Sequence, residues 1–492
     1  MRKKFIFCFF TFVLLLSFTS ITSFAEETPT TELDIERYAE NMQPGWNLGN
    51  TFDAVGNDET AWGGNPYVTQ ELIQRVADQG FKSIRIPITF DQRMGEDDDY
   101  QINDDFLKRV DQTVQWALEE DLYVMINVHH DSWLWVETGM QEEHNQTVDR
   151  FNAIWTQLAD HFKDYPKELM FESINEPRFS GTEEESQAYL NELHTHFYEI
   201  VRGSGGYNDN RPLVLPTLNT GSEPEKINSL YEYIQGLKDP NIIATVHYYG
   251  FWPFSVNIAG YTRFEEDTKK DIHTVFDRVH ETFTANGIPV IIGEYGLLGF
   301  DVDTGVVQQG EKLKFFEHMI HYANEKELIH MLWDNGQHLN RDTLEWNDPE
   351  FFNMLKTSWD TRSATPNDNF IYLEQSEEIT DKVITFDLNG NDFDEVTVTD
   401  QVLEEENDYE ISDNTITFSK KFLQSLVTTD ELGTVSTITI AFTGGVDWEI
   451  DVIVYQTVEL EETEGTTVAF RIPASFNGDQ LATMNNCTLT KG

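Results

Sequence analysis

Two glutamates are candidates for acid–base chemistry because of the short strings that contain them. Glu176 lies in SINEP and Glu294 in GEYG, and each follows a run of apolar residues. A pair of carboxyl groups can cleave a glycosidic bond, one as general acid and the other as nucleophile or base. The chain has 87 acidic residues, so two glutamates at a solvated rim are an alternative that their positions leave open.

Other polar and aromatic residues also follow short apolar runs. Side chains of these types can hydrogen-bond sugar hydroxyls or stack against a sugar ring. They act together only if the fold brings them to one place, so the segments that precede them decide the question. In chain order the residues are Asn50, Arg85, His129 with His130, Asn175 with Glu176, His247 with Tyr249, Glu294 and Trp333.

The apolar runs have the composition of strands that are buried on both faces. They are rich in β-branched and aromatic residues and are continuous instead of alternating with polar residues. The eight runs are 45–48, 83–88, 122–128, 169–174, 212–218, 242–248, 289–293 and 328–333.

Stretches with apolar residues three or four apart separate these runs and predict helices. Strand followed by helix, repeated eight times, predicts an α/β fold, the (β/α)8 TIM barrel, whose reacting groups lie where strands end. An open doubly wound sheet is the alternative, but no glycine-rich phosphate fingerprint follows the first run. The predicted helices are 69–78, 104–120, 148–162, 184–201, 265–285 and 308–325.

The pattern changes after residue 365, where apolar and polar residues alternate between turn signals such as Asn389-Gly390-Asn391. Residues 366–457 are predicted to form a small all-β, antiparallel sandwich of the immunoglobulin-like type. Residues 466–492 begin a further β-like unit that is too short to bury a core alone, so we interpret it as an incomplete module.

Composition and the N-terminus indicate export and a neutral partner. The 33 basic and 87 acidic residues give a net charge of −54, which argues against binding to nucleic acids or anionic membranes but not to an uncharged polymer. Residues 1–25 have the basic, apolar and small-x-small regions of a secretory signal, and we expect a secreted, extracellular monomer. A membrane anchor is the alternative, although the apolar run is shorter than the roughly 20 residues that span a bilayer. Cys487 alone would remain after cleavage, which excludes an internal disulfide.

Seven strings in order resemble the strand-end motifs of glycoside hydrolase family 5, in its subfamily 4 endoglucanase and xyloglucanase branch. They are GWNLGN, SIRIPI, INVHHD, SINEP, HYY, GEYG and LWDNG, and the resemblance covers residues 32–362. Residues 366–457 are similar to the X2 immunoglobulin-like module, and residues 466–492 resemble the start of a family 46 carbohydrate-binding module. The resemblance implies a secreted, retaining endo-β-1,4-glucanase that uses no cofactor. Xyloglucanase, mannanase or xylanase activity remains open, as does a non-catalytic carbohydrate-binding barrel, against which the two glutamates argue.

The resemblance also implies roles for individual residues. Glu176 would be the acid/base and Glu294 the nucleophile, with Asn175 hydrogen-bonded to the 2-hydroxyl of the sugar under attack. Arg85 and Tyr249 would keep Glu294 ionised, because a guanidinium and a donated hydroxyl favour a charged carboxylate. Double displacement requires the two carboxyl groups to lie about 5 to 5.5 Å apart.

The histidines match the two active-site imidazoles of the family. His129 and His247 are the matching positions, and His130 is the neighbour that the string does not exclude. Histidine, histidine and aspartate in sequence also resemble a metal cluster. However, adjacent residues at a strand end point in alternating directions, and the spacing fits no zinc motif, so we predict no metal site.

Tryptophans supply the remaining candidates for sugar binding. Trp333 is predicted to stack on the sugar at the cleavage point, because a pyranose ring presents an apolar face to an aromatic ring. Trp133 and Trp252 follow strand ends and are candidates for neighbouring subsites, with a packing role as the alternative for each.

Overall fold

The computed structural model describes residues 33–479, except 57, 96–98, 302, 400, 428–430, 465 and 467–470. The predicted signal, Cys487 and most of the predicted module at 466–492 lie outside the described residues. From Asp34 onward the described chain belongs to one compact unit. None of its helices combines the length and the apolar character that crossing a membrane requires.

Eight parallel strands form a closed barrel in sequence order, and β8 pairs with β1. The predicted TIM barrel is therefore confirmed. Each strand lies within or close to a predicted apolar run, because strands surrounded by helices are buried on both faces. The strands are β1 (Gly45–Asn47), β2 (Ser83–Ile86), β3 (Tyr123–Asn127), β4 (Leu169–Glu172), β5 (Leu213–Pro216), β6 (Ile242–Tyr248), β7 (Val290–Tyr295) and β8 (Leu328–Leu332).

Helices surround the barrel, and their ends follow the expected local chemistry. The side chain of Asn103 caps the start of α3, and Thr182 with Glu185 forms a capping box at α6. All six predicted helices are present. The helices that were not predicted are α1, α4, α7, α8, α11 and α12. The helices are α1 (Ile35–Glu40), α2 (Gln70–Gln79), α3 (Asp104–Glu119), α4 (Glu137–Glu142), α5 (His144–Phe162), α6 (Glu183–Gly203), α7 (Pro224–Leu237), α8 (Trp252–Ser255), α9 (Glu266–Thr282), α10 (Gln309–Glu325), α11 (Pro349–Ser358) and α12 (Lys420–Leu426).

The barrel wall is apolar except at the carboxyl ends of the strands, where the side chains form a polar layer. The strand register aligns Asn47 with Arg85 and Asn127 with Glu172, and all four residues are fully buried. Buried polar groups of this kind persist only when they bond to one another.

His194 on α6 is also fully buried, and this burial lowers its pKa to about 4.

The C-terminal part is a sandwich of two sheets with the orders β10-β17-β16-β12-β13 and β14-β15-β11-β9. The predicted small sandwich is confirmed, and its named strand pairs are antiparallel except β10 with β17, which is parallel. The alternation of residues cannot distinguish the two arrangements, because both have a period of two. The strands are β9 (Thr365–Pro366), β10 (Phe370–Glu374), β11 (Lys382–Asp387), β12 (Phe393–Val398), β13 (Gln401–Val402), β14 (Tyr409–Ser412), β15 (Thr415–Phe418), β16 (Gly433–Phe442) and β17 (Trp448–Tyr455), with a separate pair, β18 (Glu459–Leu460) and β19 (Ala474–Ser475).

Barrel and sandwich are joined by a short segment that is bonded on both sides. Arg362 contacts Glu317 of α10 through two of its nitrogens, at 2.6 and 3.0 Å. The indole of Trp448 in the sandwich donates to the carbonyl of Ala364. Gly310 permits the close approach of the chain to α10, because a Cβ at that position would collide with a neighbouring asparagine side chain.

Candidate active site

Arg85 is the centre of the polar layer at the top of the barrel. Its Nη1 contacts Oε1 of Glu294 at 2.7 Å, and its Nε contacts Oε2 of Glu172 at 2.8 Å. It also donates to the side-chain oxygens of Asn47 at 3.0 Å and Asn175 at 2.8 Å. Burial alone would lower the pKa of Arg85, but the two carboxylates outweigh burial and raise it. The guanidinium is therefore permanently charged and fixed in orientation.

Glu294, near the end of β7, receives donors on both of its oxygens. The Tyr249 hydroxyl donates to Oε2 at 2.6 Å, opposite the contact of Oε1 with Arg85. The pairing of β6 with β7 shifts register between Val246 and His247, and a shift of this kind changes the direction of the following side chains. These donors fix the positions of both carboxylate oxygens, which orients Glu294 as a nucleophile requires.

Glu176 follows β4 and has an unusual backbone conformation. Its φ is 38°, in the left-handed region that non-glycine residues rarely adopt, and such strain is commonly found at functional sites. Its Oε1 lies 2.9 Å from Nδ1 of His247, and 49% of its side chain is exposed. Burial alone would raise the pKa of Glu176, but the hydrogen bond and charge of His247 outweigh it and lower the pKa.

The two glutamates and His247 form one cluster. Nδ1 of His247 lies 3.5 Å from Oε2 of Glu294, and the nearest polar atoms of the three residues all lie within 4.8 Å of one another. Burial alone would lower the pKa of His247, but Glu294 and Glu176 raise it. A proton shared by His247 and Glu176 can therefore move over a short distance beside Glu294.

His129 and Trp333 form the wall beside Glu294. The two rings are stacked, with centroids 5.9 Å apart and planes 4° from parallel. Nε2 of His129 lies 4.0 Å from Oε1 of Glu294. Burial, together with the charges of His130, Arg85 and His247, lowers the pKa of His129 well below its usual value, so this imidazole is neutral.

The other predicted sugar-binding residues bond to partners other than the two glutamates or are exposed. Trp133 and Trp252 are exposed, at 41% and 57%. His130 accepts a hydrogen bond from Trp133, and Asn50 contacts Asp53 and Asn65 through its backbone. The structure thus brings Arg85, His129, Asn175, His247, Tyr249 and Trp333 together with the glutamate pair, whereas Asn50, His130, Trp133 and Trp252 occupy the surroundings.

Three residues of the polar layer were missed by sequence reasoning. Asn47 and Glu172 bond Arg85 directly, and Asn127 donates to Glu172 at 2.8 Å. Each is the last residue of its strand and could have been found by asking which position of each strand faces the barrel interior. The apolar runs were extended past these residues, which concealed them.

Two groups of described residues have donor spacings that suit a metal ion. One consists of Asp53, His129 and His130, and the other of Glu176, His247 and Glu294. Both oxygens of Asp53 already accept backbone N–H groups, at 3.1 and 2.7 Å. The second group is the proposed catalytic cluster itself.

Comparison with known proteins agrees with this geometry. Residues 43–339 match the family model of cellulase (glycosyl hydrolase family 5). The chain belongs to glycoside hydrolase family 5. Residues 366–452 of the family 5 chain match the carbohydrate binding domain X2, which agrees with the resemblance of the sandwich.

Similar proteins place the chain among the family 5 endoglucanases. Endoglucanase B of Paenibacillus lautus is 52% identical over 454 residues, covering 92% of this chain and 80% of that protein. The structure of the full-length tri-modular endo-β-1,4-glucanase B from Bacillus halodurans has a TM-score of 0.89 at 55% identity, covering 92% of this chain and 85% of that one. A tri-modular subfamily 4 endo-β-1,4-glucanase from Bacillus licheniformis, complexed with cellotetraose, has a TM-score of 0.78 at 30% identity, covering 91% and 85%. The chain is a glycoside hydrolase of the endoglucanase group.

Proposed function

We propose that this family 5 endoglucanase hydrolyses internal β-1,4 bonds of a neutral glucan with retention of configuration, with Glu294 as nucleophile and Glu176 as acid/base. One observation carries the proposal: polar atoms of Glu176, His247 and Glu294 lie within 4.8 Å of one another. Retaining enzymes have carboxyl groups about 5 to 5.5 Å apart, whereas inverting enzymes separate them by about 6.5 to 9.5 Å to admit a water molecule.

In the first step Glu294 attacks the anomeric carbon of the sugar and the bond to the leaving oxygen breaks. Arg85 and Tyr249 hold the attacking carboxylate in a fixed orientation. The side-chain oxygen of Asn175 accepts a hydrogen bond from Arg85, which directs the amide NH2 away from the guanidinium and makes it available to the sugar 2-hydroxyl. That bond strengthens as the oxocarbenium-like transition state develops.

The leaving oxygen takes its proton from Glu176. A bound sugar removes water from this half-exposed carboxyl group, and desolvation favours its neutral form. The proton is supplied across the 2.9 Å contact with Nδ1 of His247. Glu176 ends the first step as a carboxylate, because its proton has gone to the leaving oxygen. In the second step Glu176 takes a proton from water, the water oxygen attacks the anomeric carbon, and the bond to the esterified Glu294 breaks and releases its carboxylate.

The substrate class and the location follow from charge and from the N-terminus. A net charge of −54 disfavours anionic polymers and leaves uncharged plant-cell-wall glucans as suitable substrates. A structure similar to this chain is that of a xyloglucan-specific endo-β-1,4-glucanase, with a TM-score of 0.59 at 31% identity, covering 65% of this chain and 98% of that one. We place the enzyme outside the cell, on the basis of the signal-like residues 1–25.

The test compares wild type with Glu294→Gln on soluble mixed-linkage glucan, scoring released reducing ends. We expect the variant to lose roughly 10³-fold or more of the activity, because the amide cannot form the glycosyl ester. Glu317→Gln is the matched control, since Glu317 is a buried glutamate bonded to an arginine at the junction with the sandwich. Equal activity in wild type and Glu294→Gln would refute the assignment of the nucleophile.

Stereochemistry and substrate class are tested separately. Proton NMR during early hydrolysis of cellopentaose should show the β-anomer of the product before mutarotation. An initial α-anomer would refute retention. Initial rates on mixed-linkage glucan, xyloglucan, glucomannan and xylan establish the preferred polymer, and a rate that is highest on xylan or mannan would refute the glucanase assignment.

A further inference from the structure

An arginine joins the segment after β6 to the start of the sandwich. Residues 249–265 connect the end of β6 to α9, and this segment and the first strands of the sandwich border a groove of about 1050 Å³. Nη2 of Arg263 lies 3.1 Å from Oδ2 of Asp368 and also donates to the carbonyl of Asn367. The chain that enters the sandwich is therefore bonded to the chain that leaves β6.

The same part of the segment is bonded to helix α10 of the barrel. The backbone N–H of Phe264 donates to Oε2 of Glu311 at 2.7 Å, and Nζ of Lys314 lies 2.8 Å from Oε1 of that carboxylate. Nε of Arg263 lies 3.7 Å from the same Oε1. Glu311 and Lys314 are both buried, and a buried carboxylate with several donors has a fixed position. Glu311 thus fixes the backbone next to Arg263.

Aromatic packing connects this point to the beginning of the segment. The ring of Phe264 lies 6.1 Å from that of Phe254 on α8, between centroids. Both rings also pack against Phe315 of α10, at 6.0 and 5.8 Å. All three side chains are buried, and close-packed side chains cannot move independently of one another. A displacement of Phe264 therefore displaces Phe254 as well.

Ser255 follows Phe254 and connects α8 to the active site. Its hydroxyl donates to the carbonyl of Tyr249 at 2.5 Å and accepts the backbone N–H of Leu298 at 2.5 Å. The hydroxyl of Tyr249 donates to Oε2 of Glu294 at 2.6 Å. The position of this donor therefore depends on how the whole segment after β6 is held.

We propose that Arg263 and Asp368 are positioning residues of the active site, through which the sandwich holds the segment after β6 and, with it, the Tyr249 donor to Glu294. The inference rests on the proposed function, because it concerns the orientation of the same nucleophile. A misplacement of about 1 Å in an active site can cost about 100-fold in rate, so a small displacement of Tyr249 is sufficient.

The pair is suited to an experiment because its loss should leave the protein folded. The side chains of Arg263 and Asp368 are 41% and 31% exposed, and exposed ion pairs contribute little to stability. Arg263→Met removes the guanidinium and keeps an apolar stem. We expect kcat on cellopentaose to fall roughly three- to tenfold and KM to change less, because the variant alters how the nucleophile is held. A change confined to KM would overturn the proposal.

Two conservative variants separate the role of charge from that of packing. Asp368→Asn keeps the shape of the side chain, removes the charge opposite Arg263, and should lower kcat in the same direction as Arg263→Met. Arg263→Lys retains a cation opposite Asp368 and should recover most of the lost kcat. Equal kcat values for Arg263→Lys and Arg263→Met, both well below that of wild type, would show that the pair of charges is not responsible.

A double-mutant cycle tests the connection to Tyr249. Tyr249→Phe removes the hydroxyl that donates to Glu294 and keeps the ring. Because Arg263 is inferred to act through this hydroxyl, Arg263→Met should lower kcat of the Tyr249→Phe variant by less than about twofold. If the two effects multiply, Arg263 does not act through Tyr249, and the positioning role is overturned.

Arg362→Met is the matched control for loosening of the junction. Arg362 is also an arginine between barrel and sandwich, but its partner is Glu317 in the middle of α10. It should lower the melting temperature and keep kcat, whereas an equal loss of kcat in both arginine variants would overturn the inference. If wild type does not hydrolyse cellopentaose, the proposed function fails. If wild type is active and Arg263→Met keeps kcat within about twofold, only the present inference fails.

Discussion

Glu172 offers the sharpest test of how the polar layer supports catalysis. It is fully buried, contacts Nε of Arg85 at 2.8 Å, and accepts from Asn127 at 2.8 Å. Glu172→Gln keeps the shape of the side chain and removes its charge. Arg85 then still contacts one carboxylate, that of Glu294, so the variant leaves no buried cation unpaired.

The size of the effect follows from these contacts. A hydrogen bond to a charged group contributes about 1.5 to 3 kcal/mol, less than the 3 to 5 kcal/mol lost when a buried ion pair is broken completely. We therefore expect the free energy of unfolding of the barrel to fall by about 2 kcal/mol. In the variant the charge of Arg85 is no longer shared with Glu172, so it stabilises the Glu294 carboxylate more strongly before attack. This stabilisation is lost when Glu294 forms the ester, and an activation free energy higher by about 1.4 to 2.7 kcal/mol would lower kcat roughly 10- to 100-fold.

The assay combines urea unfolding, followed by tryptophan fluorescence, with kcat and KM on cellopentaose. Glu317→Gln is the control, because Glu317 is a buried partner of Arg362 far along the chain from Arg85, and it should lose stability but keep kcat. Our reasoning would be refuted if Glu172→Gln kept kcat within about twofold of wild type while losing stability like the control.

Three further predictions concern separate parts of the molecule. Asn175→Ala should lower kcat on cellopentaose roughly 100-fold with KM little changed, because the bond to the 2-hydroxyl strengthens in the transition state, and a change in KM alone would contradict this. Folded His194 has a pKa of about 4, so the unfolded chain binds a proton there that the folded chain does not, and His194 should contribute about 3 kcal/mol to the stability lost in urea unfolding as pH drops from 6.5 to 4. His194→Gln should reduce the pH dependence of stability by that amount and His196→Gln should not; equal slopes would exclude a contribution from His194. Trp448→Phe leaves the Ala364 carbonyl without its indole donor and should destabilise the sandwich by about 1 to 3 kcal/mol in thermal melts, while changed turnover of cellotetraose would contradict a purely structural role.

The barrel could be predicted from sequence because its strands have a strong and specific signature. Burial on both faces produces continuous apolar runs, and a run such as 242–248 coincides with β6. Helices α7 and α11 were missed although both begin with a proline in the first turn, a recognised start signal. Their short apolar stripes are less distinct than those of the long helices.

The site was only partly predictable, since side-chain contacts depend on register and on loop conformation. Strand ends identify Glu294 and Arg85 as neighbours at one rim, but not the 2.7 Å contact between them. The left-handed conformation of Glu176 could not be predicted from the sequence, because glutamate rarely adopts it and no residue type here signals it.

The contacts of Arg85 separate two kinds of variation in this enzyme. One guanidinium joins side chains from β1, β4, β7 and the segment after β4. A change at any of these positions alters the others, so they tolerate substitution only in concert. The exposed tryptophans lie on segments that supply none of these contacts. A laboratory search for altered polymer preference should therefore be directed to the segments around Trp133 and Trp252, where sequence can diverge while the chemistry is retained.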